Sequence, residues 1–287
     1  MKVLVTGGCG FIGSNLVDRL IAQSNDVIVI DDLSSGKKEY MNNSAQYIFK
    51  DFKECLLSNH DALEGVELIF HLAAESRIQP SFEDPLYTCH NNSYGSTIVA
   101  EFARRTGAKV VYAGSSSFYG GVYLNPYAFA KWQGEESFIM YSKVYDLTTA
   151  VARFFNVYGP RNPLIGQYTP VVGIFEEQTK SGDELTIIGD GEQRRDFTHV
   201  YDICDGLIAI SKGNWKGEVF NLGTGTNYSI NELADLFGGN KKYLPARRGE
   251  TRVTLADISK TTESTGWTPQ ETLEKYIKEF KNESQSI

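Results

Sequence analysis

Three glycines spaced three apart, Gly7, Gly10 and Gly13, stand between the short apolar run Lys2–Thr6 and a helical pattern over Phe11–Ala22. A strand that runs through such a turn into a helix leaves few alternatives. Gly7 permits the tight turn, Gly10 lets backbone approach a pyrophosphate, and Gly13 lets helix and sheet pack closely. The phosphates would sit on the helix N-terminus. The next apolar run, Val27–Ile30, ends in Asp31-Asp32. A carboxylate there can accept both hydrogen bonds of an adenosine ribose diol and would repel a 2′-phosphate, so NAD is expected rather than NADP. The other reading of Asp31 is a cap on the following turn. Asp51-Phe52, after the third run, is placed to hold the adenine amino group, and Ala73-Ala74, after the fourth, to let backbone lie against the cofactor.

Six apolar runs, Lys2–Thr6, Asp26–Ile30, Gln46–Phe49, Leu68–Leu72, Lys109–Ala113 and Leu147–Arg153, alternate with helical patterns over Phe11–Ala22, Pro85–Arg105 and Tyr127–Val144. That alternation predicts a doubly wound α/β core of the Rossmann type, a parallel sheet covered on both faces. After Asn156 the character changes. Gly159-Pro160-Arg161-Asn162-Pro163 is turn chemistry, followed by a helical stretch at Val171–Lys180 and a strand at Glu184–Ile188. Glu218–Leu222 reads as one more strand, Ser229–Phe237 and Gln270–Phe280 as helices, and Asn282–Ile287 as a frayed tail. Residues 1–157 with about 197–226 are expected to form a cofactor-binding domain, and about 158–196 with 227–287 a smaller C-terminal α/β substrate-binding domain.

With 287 residues, 41% hydrophobic and 22% charged, the chain is long enough for a real core, and disorder is excluded. Twenty-eight Lys plus Arg against 36 Asp plus Glu argue against nucleic acid as a partner. No apolar stretch approaches the length of a membrane span, so a soluble, cytoplasmic protein is expected. Cys9, Cys55, Cys89 and Cys204 are scattered, and His60, His71, His90 and His199 lack ligand spacing, so neither disulfides nor a metal site is expected.

Ser115 follows the fifth run, and Tyr127 and Lys131 open the next helix four residues apart, on one face. A free phenol has a pKa of about 10 and is a poor base at neutral pH. A nearby ammonium, with the positive nicotinamide of a bound cofactor, would stabilise the phenolate, and Ser115 can hydrogen-bond the same substrate oxygen.

With these pieces in place the sequence resembles the extended short-chain dehydrogenase/reductase superfamily, and within it the nucleotide-sugar epimerases typified by UDP-glucose 4-epimerase. The resemblance is carried by TGGCGFIGS (Thr6–Ser14), DDLSSG (Asp31–Gly36), HLAAES (His71–Ser76), NNSYGS (Asn91–Ser96), GSSSFYG (Gly114–Gly120), YAFAK (Tyr127–Lys131), RFFNVYGPRN (Arg153–Asn162), GDGEQRRDFTHVYD (Gly189–Asp202) and RRGETRVTLAD (Arg247–Asp257). It implies an NAD-dependent isomerase acting on a UDP-hexose or UDP-N-acetylhexosamine through a 4-keto intermediate. Tyr127 resembles the acid/base at the sugar 4-hydroxyl, Lys131 its tuning partner at the nicotinamide ribose, and Ser115 the hydrogen-bonding hydroxyl.

Further roles come with the same motifs. Phe11, Ile12, Ser35, Gly36, Leu72 and Asn92 are implied as additional cofactor contacts. Phe154 and Phe155 would wall nicotinamide and sugar, and Asn156 would contact the sugar nucleotide. Arg195 and Arg248 resemble a diphosphate clamp, Glu250 would take the nucleotide ribose, and Thr186 and Ile188 would flank the base. Relatives pair the helices around Pro85–Arg105 and Tyr127–Val144 into a homodimer contact.

Two departures from the family pattern matter. Only Gly121–Pro126 separates Tyr119-Gly120 from Tyr127, where relatives carry a longer loop, so cover over the sugar is expected to be lost. Ser116-Ser117 stand where related dehydratases and decarboxylases place acids, which argues for epimerisation. A dehydratase, a reductase, an epimerase at another carbon, or a catalytically weak NAD- or sugar-nucleotide-binding protein remain the alternatives. Thr254, three before Asp257, resembles the position at which epimerases of this family carry the side chain that bounds the sugar's C2 substituent, which implies that a bulky Tyr there restricts the pocket to plain hexoses and a small Thr leaves room for an N-acetyl group, unless Thr254 merely alternates out of a strand.

Overall fold

The computed structural model describes residues 1–163 and 169–284. The first half runs β1 (Lys2–Thr6), α1 (Phe11–Ala22), β2 (Asp26–Ile30), β3 (Gln46–Ile48), α2 (Phe52–Leu57), β4 (Leu68–His71), α3 (Ile78–Glu83), α4 (Pro85–Cys89), α5 (Gly95–Thr106), β5 (Lys109–Ser115), α6 (Ser117–Gly120), α7 (Pro126–Tyr145) and β6 (Thr149–Phe154). Then come β7 (Asn156–Tyr158), α8 (Val171–Ser181), β8 (Leu185–Ile188), β9 (Arg194–His199), α9 (Val200–Ser211), β10 (Lys216–Leu222), β11 (Asn227–Ser229), α10 (Ile230–Phe237), β12 (Lys241–Leu244), α11 (Ser259–Thr265) and α12 (Leu273–Ser284).

Seven strands form one parallel sheet in the order β10-β6-β5-β4-β1-β2-β3. Strand order reverses at β1, between β2 and β4, and that reversal opens a crevice at the carboxyl ends of the strands. Side chains alternate between two covered faces. Val3, Val5, Val27 and Val29 pack with Leu16 and Leu20 of α1 and Ile203 and Leu207 of α9. Leu4, Ile28 and Ile30 pack with Leu56 of α2, Val99 and Phe102 of α5 and Phe138 of α7. Burial on both faces explains why these strands read as unbroken apolar runs. The sequence reading omits α9, the second helix on the α1 face. It places Glu218–Leu222 as a strand, and β10 joins the large sheet beside β6.

Two small sheets, β11-β9-β7 and β12-β8, share a separate core of Tyr158, Phe175, Leu185, Ile187, Phe197, Leu233, Phe237 and Ile277. A single residue, Phe155, joins β6 in the large sheet to β7 in a small one. No residue intervenes between β9 and α9, where the His199 side chain accepts the Tyr201 N–H at 3.2 Å.

Local chemistry sets the helix ends. Asn125 accepts the Ala128 N–H at 2.7 Å and Pro126 takes the first position of α7, so that helix begins one residue before the expected Tyr127. Ser229 and Glu232 form a capping box on α10. Between α4 and α5 the helix continues through a π turn at His90–Tyr94. α12 starts at Leu273 rather than Gln270 and runs to Ser284, which corrects the expected tail over residues 282–284; residues 285–287 lie outside the described residues. No helix among the described residues is long and apolar enough to cross a membrane.

Candidate active site

A cavity of about 1410 Å3 follows the carboxyl ends of the parallel strands and takes walls from both the large sheet and the small ones. At one end lies the glycine turn, where Gly7 adopts φ +75° and its N–H bonds the Ile30 carbonyl at 2.8 Å. A Cβ on Gly13 would overlap the Gly7 carbonyl oxygen and stand 2.8 Å from Gly8 Cα; a Cβ on Gly7 would stand 2.8 Å from the Ala73 amide nitrogen. Only glycine lets turn, helix and the Leu72–Ala74 backbone approach this closely. No side chain caps α1 at Gly10, and Phe11, Ile12 and Gly13 line the cavity, so the first-turn N–H groups are left for an anion.

Asp31, 8% exposed, serves both readings. Its carboxylate accepts the Cys9 N–H and the Leu33 N–H, each at 2.9 Å, and also lines the cavity. Each oxygen retains a further lone pair for a ribose hydroxyl. Burial raises its pKa and those two N–H groups oppose the rise. Asp32 accepts from Ser34 N–H and Oγ at 2.9 and 2.6 Å, and Ser35 adjoins it on the wall. This end fits a dinucleotide: free helix N–H groups, an acid at the ribose position and glycines wherever backbone must come close.

Four predicted contacts lie off the wall. Gly36 sits behind Asp31, where a Cβ would meet the carboxylate at 2.7 Å. Asp51 caps α2 through the Lys53 N–H at 2.7 Å and pairs with Lys53 Nζ at 2.8 Å, leaving Phe52, Lys53 and Lys50 on the cavity. Asn92, on the π turn, accepts the Glu75 N–H at 2.8 Å and donates to the Glu75 carbonyl at 2.7 Å, so it shapes the loop after β4. Arg248 lies over the Phe82 ring at 4.1 Å, and its neighbour Arg247 faces the cavity instead. Alternation in an irregular loop cannot be read from sequence, and so the two arginines could not be told apart.

The chemical groups meet at the end of β5. Tyr127 donates to Ser115 Oγ at 3.3 Å, and Ser115 Oγ stands 2.8 Å from Ser117 Oγ. Lys131 is 4% exposed; its Nζ donates to the Ala113 carbonyl at 2.6 Å and lies 4.2 Å from the Tyr112 ring centroid. Burial lowers its pKa to about 7, with Glu135 opposing. Burial likewise raises Tyr127, against the Ser115 hydrogen bond and the Arg77 charge. The sequence places Lys131 as the group that lowers the phenol; in the protein alone its hydrogen bond goes to backbone, and Tyr127 is held protonated. His71 is structural: it is 1% exposed, with Nδ1 2.7 Å from Thr6 Oγ1.

Beyond Ser115, Phe154, Phe155 and Asn156 continue the wall, and Phe155 stacks on Tyr119 at 5.9 Å. Asn156 Nδ2 donates to the Asp196 carbonyl at 3.2 Å and to Thr254 Oγ1 at 3.4 Å. Thr254 points inward, 5% exposed, between outward Val253 and Leu255 at 50% and 53%, which fixes the register. Asp196, fully buried, gathers the Thr224, Gly225 and Ala256 N–H groups and so ties two segments to β9 behind the pocket. Thr186 and Ile188 reach the far wall on β8, and half-buried Arg195 has Glu250 at 3.8 Å.

Cover over the centre comes from an unexpected direction. Tyr123 folds outward onto Phe129 and Trp132, at 5.9 and 6.4 Å, while Asn125 Nδ2 holds the Gly249 carbonyl at 2.9 Å and Gln79 Nε2 the Arg248 carbonyl at 3.2 Å. The Arg248–Thr251 turn is thereby drawn over α3 and α6, packing so tightly that Gly120 has no room for a side chain beside Thr251. The sequence reading also misses Glu75 and Arg77 on the cavity wall, and a buried ion pair, Glu135 with Arg153 at 2.7 Å. A charged residue closing the apolar strand Thr149–Phe154 was the one available signal for the latter.

Comparison with known proteins adds to this geometry. Residues 3–223 match the NAD dependent epimerase/dehydratase family. A putative UDP-glucose 4-epimerase of Methanocaldococcus jannaschii is 36% identical over 98% of this chain and 97% of its own length. UDP-glucuronic acid decarboxylase 1 of Xenopus tropicalis is 31% identical over 98% of this chain and 72% of its own. The crystal structure of a UDP-glucose 4-epimerase from Thermotoga maritima with UDP-glucose superimposes with a TM-score of 0.92 at 33% identity, covering 99% of this chain and all of that one.

Proposed function

The chain belongs to the NAD dependent epimerase/dehydratase family, an enzyme family whose members here act on nucleotide sugars, and on that premise we propose that it is a UDP-hexose or UDP-N-acetylhexosamine 4-epimerase. The observation that carries this reading is the Tyr127–Ser115 hydroxyl pair beside buried Lys131, with Ser116 and Ser117 where an eliminating enzyme would need an acid. NAD, when bound, supplies the acceptor and donor for the C4 hydrogen. Tyr127 takes the 4-hydroxyl proton and returns it, Ser115 holds the same oxygen, and Lys131 supplies the charge that favours phenolate. Arg195 and Arg247 offer guanidinium forks to a diphosphate, which an acidic protein must provide locally. Residues 1–157 with 197–226 serve the cofactor, and the remainder the sugar nucleotide.

The test is purified protein, no NAD added, with a panel of nucleotide sugars followed by NMR of the sugar protons. Interconversion of C4 epimers is expected; a dehydrated or decarboxylated product, or steady consumption of nicotinamide, overturns the reading. One observation favours a second reading, loss of water from the sugar: Glu75 is a buried carboxylate on the wall whose charge acts on Tyr127.

Thr254 sets pocket width in this reading. Thr254→Tyr is expected to suppress turnover of the N-acetylated pair at least about tenfold relative to the plain hexose pair. Equal loss on both, or on neither, removes Thr254 from the gate.

We further propose a homodimer through α4, α5 and α7. Leu86 of α4, Tyr94 of the π turn and Met140, Val144 and Tyr145 of α7 stand exposed, at 83%, 52%, 43%, 62% and 50%, apolar surface that such a contact would cover. Light scattering should give twice the chain mass, and Met140→Glu should halve it; a monomer at every concentration rejects the contact.

A further inference from the structure

Behind the reacting groups, on the side away from the cavity, lies an ion pair that no step above uses. Glu135 and Arg153 are 1% and 7% exposed, and the guanidinium donates from both Nε and Nη2 to Glu135 Oε2 at 3.0 and 2.7 Å. The other carboxylate oxygen accepts the Ser115 N–H at 3.4 Å. Tyr127, Lys131 and Glu135 follow one another at four-residue intervals along α7, one stripe of a single helix. On its far side Arg153 lies 3.5 Å from the Phe118 ring centroid and 5.2 Å from that of Tyr119, the residues of α6 that follow Ser115. Gly114 sits between the two, where a Cβ would meet Glu135 Oε1 at 2.8 Å and Arg153 Cγ at 3.1 Å.

A buried pair of this kind adds little stability over an apolar pair of the same volume. Its geometry makes sense as a mount: it touches the backbone of one reacting residue, neighbours the second on the helix, and braces the segment beyond the first. We propose that Glu135 and Arg153 are positioning residues, Glu135 fixing the Ser115 backbone and supplying the counter-charge to Lys131 while Arg153 holds Glu135 and α6 in place. This rests on the assignment of Ser115, Tyr127 and Lys131 above. The titratable groups that act on Lys131 from the packed elements are Tyr112 of β5, its ring centroid 4.2 Å from Nζ, His71 of β4 and, one turn along its own helix, Glu135. Among these Glu135 is the anion, and its charge opposes the burial that lowers Lys131. Burial raises Glu135 itself, and the Arg153 guanidinium opposes that rise.

The sign follows. Removing the anion leaves the ammonium less favoured, so Lys131 loses its proton at lower pH and the alkaline limb of turnover moves with it. Glu135→Gln should lower the Lys131 titration midpoint by about one unit or more, read from the lysine ε-carbon resonance by NMR and assigned by its loss in Lys131→Met. It should also lower kcat at least about tenfold near pH 8 with KM little changed. Glu135→Gln/Arg153→Met, neutral as a pair, guards against simple misfolding: it should regain the wild-type melting temperature while the Lys131 midpoint and kcat stay low. Recovery of kcat and midpoint together with melting temperature would reduce the pair to a structural role and overturn the inference, as would an unmoved midpoint in Glu135→Gln. A wild-type protein inert towards every nucleotide sugar would instead strike at the proposed reaction, because the Lys131 titration needs no substrate.

Discussion

Tyr127→Phe is expected to lower epimerisation by at least about two orders of magnitude while NAD stays bound, because it removes the hydroxyl proposed to exchange a proton with the sugar and leaves the glycine turn untouched. The ring still fills its place, since packing along α7 does not depend on the phenol oxygen, whose one hydrogen bond among the described residues goes to Ser115 Oγ at 3.3 Å. Melting temperature should therefore change little. Two measurements check the claim: turnover by NMR, and NAD content after denaturing the purified variant. Near-normal turnover would show that another group carries the proton, with Glu75 the first to examine. Loss of NAD along with activity would mean that the hydroxyl matters for binding rather than for chemistry.

The second large effect is a contrast between neighbouring glycines. Gly13→Ala puts a methyl group into the Gly7 carbonyl and 2.8 Å from Gly8 Cα, and both are backbone atoms that cannot swing aside as a side chain would. Prying α1 from the turn should cost about 1–3 kcal/mol of stability and cut NAD affinity at least about tenfold. At Gly10 the only close neighbour of an added Cβ among the described residues is the Gly7 carbonyl oxygen, at 3.3 Å. Gly10→Ala should thus unfold nearly as the wild type does, yet lose cofactor, since its methyl group stands where a phosphate approaches. Thermal unfolding and NAD retention on both variants decide the matter. If Gly13→Ala melts as the wild type does, crowding does not explain that glycine.

The same physics explains what could be read in advance. β1, β2 and α1 match their expected bounds because strands buried on both faces have no choice but to be apolar, and the turn between them has no choice but glycine. β9 went unread because its residues, Arg194-Arg195-Asp196, are charged, and what makes them a strand is pairing with β7 and β11, which is invisible in a linear chain. In the candidate site, the proposed reacting groups Ser115, Tyr127 and Lys131 are legible because the proposed chemistry asks for those types at that spacing. Glu135, one turn further along the same stripe, reads as an ordinary solvated acid until β6 brings Arg153 against it. The short Gly121–Pro126 link, with the loss of cover expected from it, is a reading of local sequence. Its replacement, the turn at Arg248–Thr251, comes from more than a hundred residues away and could only be seen in three dimensions.

The join between β6 and β7 bears on how any such reaction must proceed. Phe154 belongs to the large sheet, Asn156 to a small one, and Phe155 alone stands between them, itself 1% exposed. Two virtual bonds of about 3.8 Å keep those walls within about 7.6 Å of each other at their closest joint, whatever the rest of the molecule does. Walls tied by so short a tether cannot trade places to present a flat keto sugar with its opposite face. In the proposed reaction the protein is the fixed jaw of a vice, and inversion at C4 would require the workpiece to be turned: the sugar ring would have to rotate about its link to a diphosphate held in place. A ligand whose sugar is bridged rigidly to its diphosphate would then bind and be oxidised on one face, and stop there.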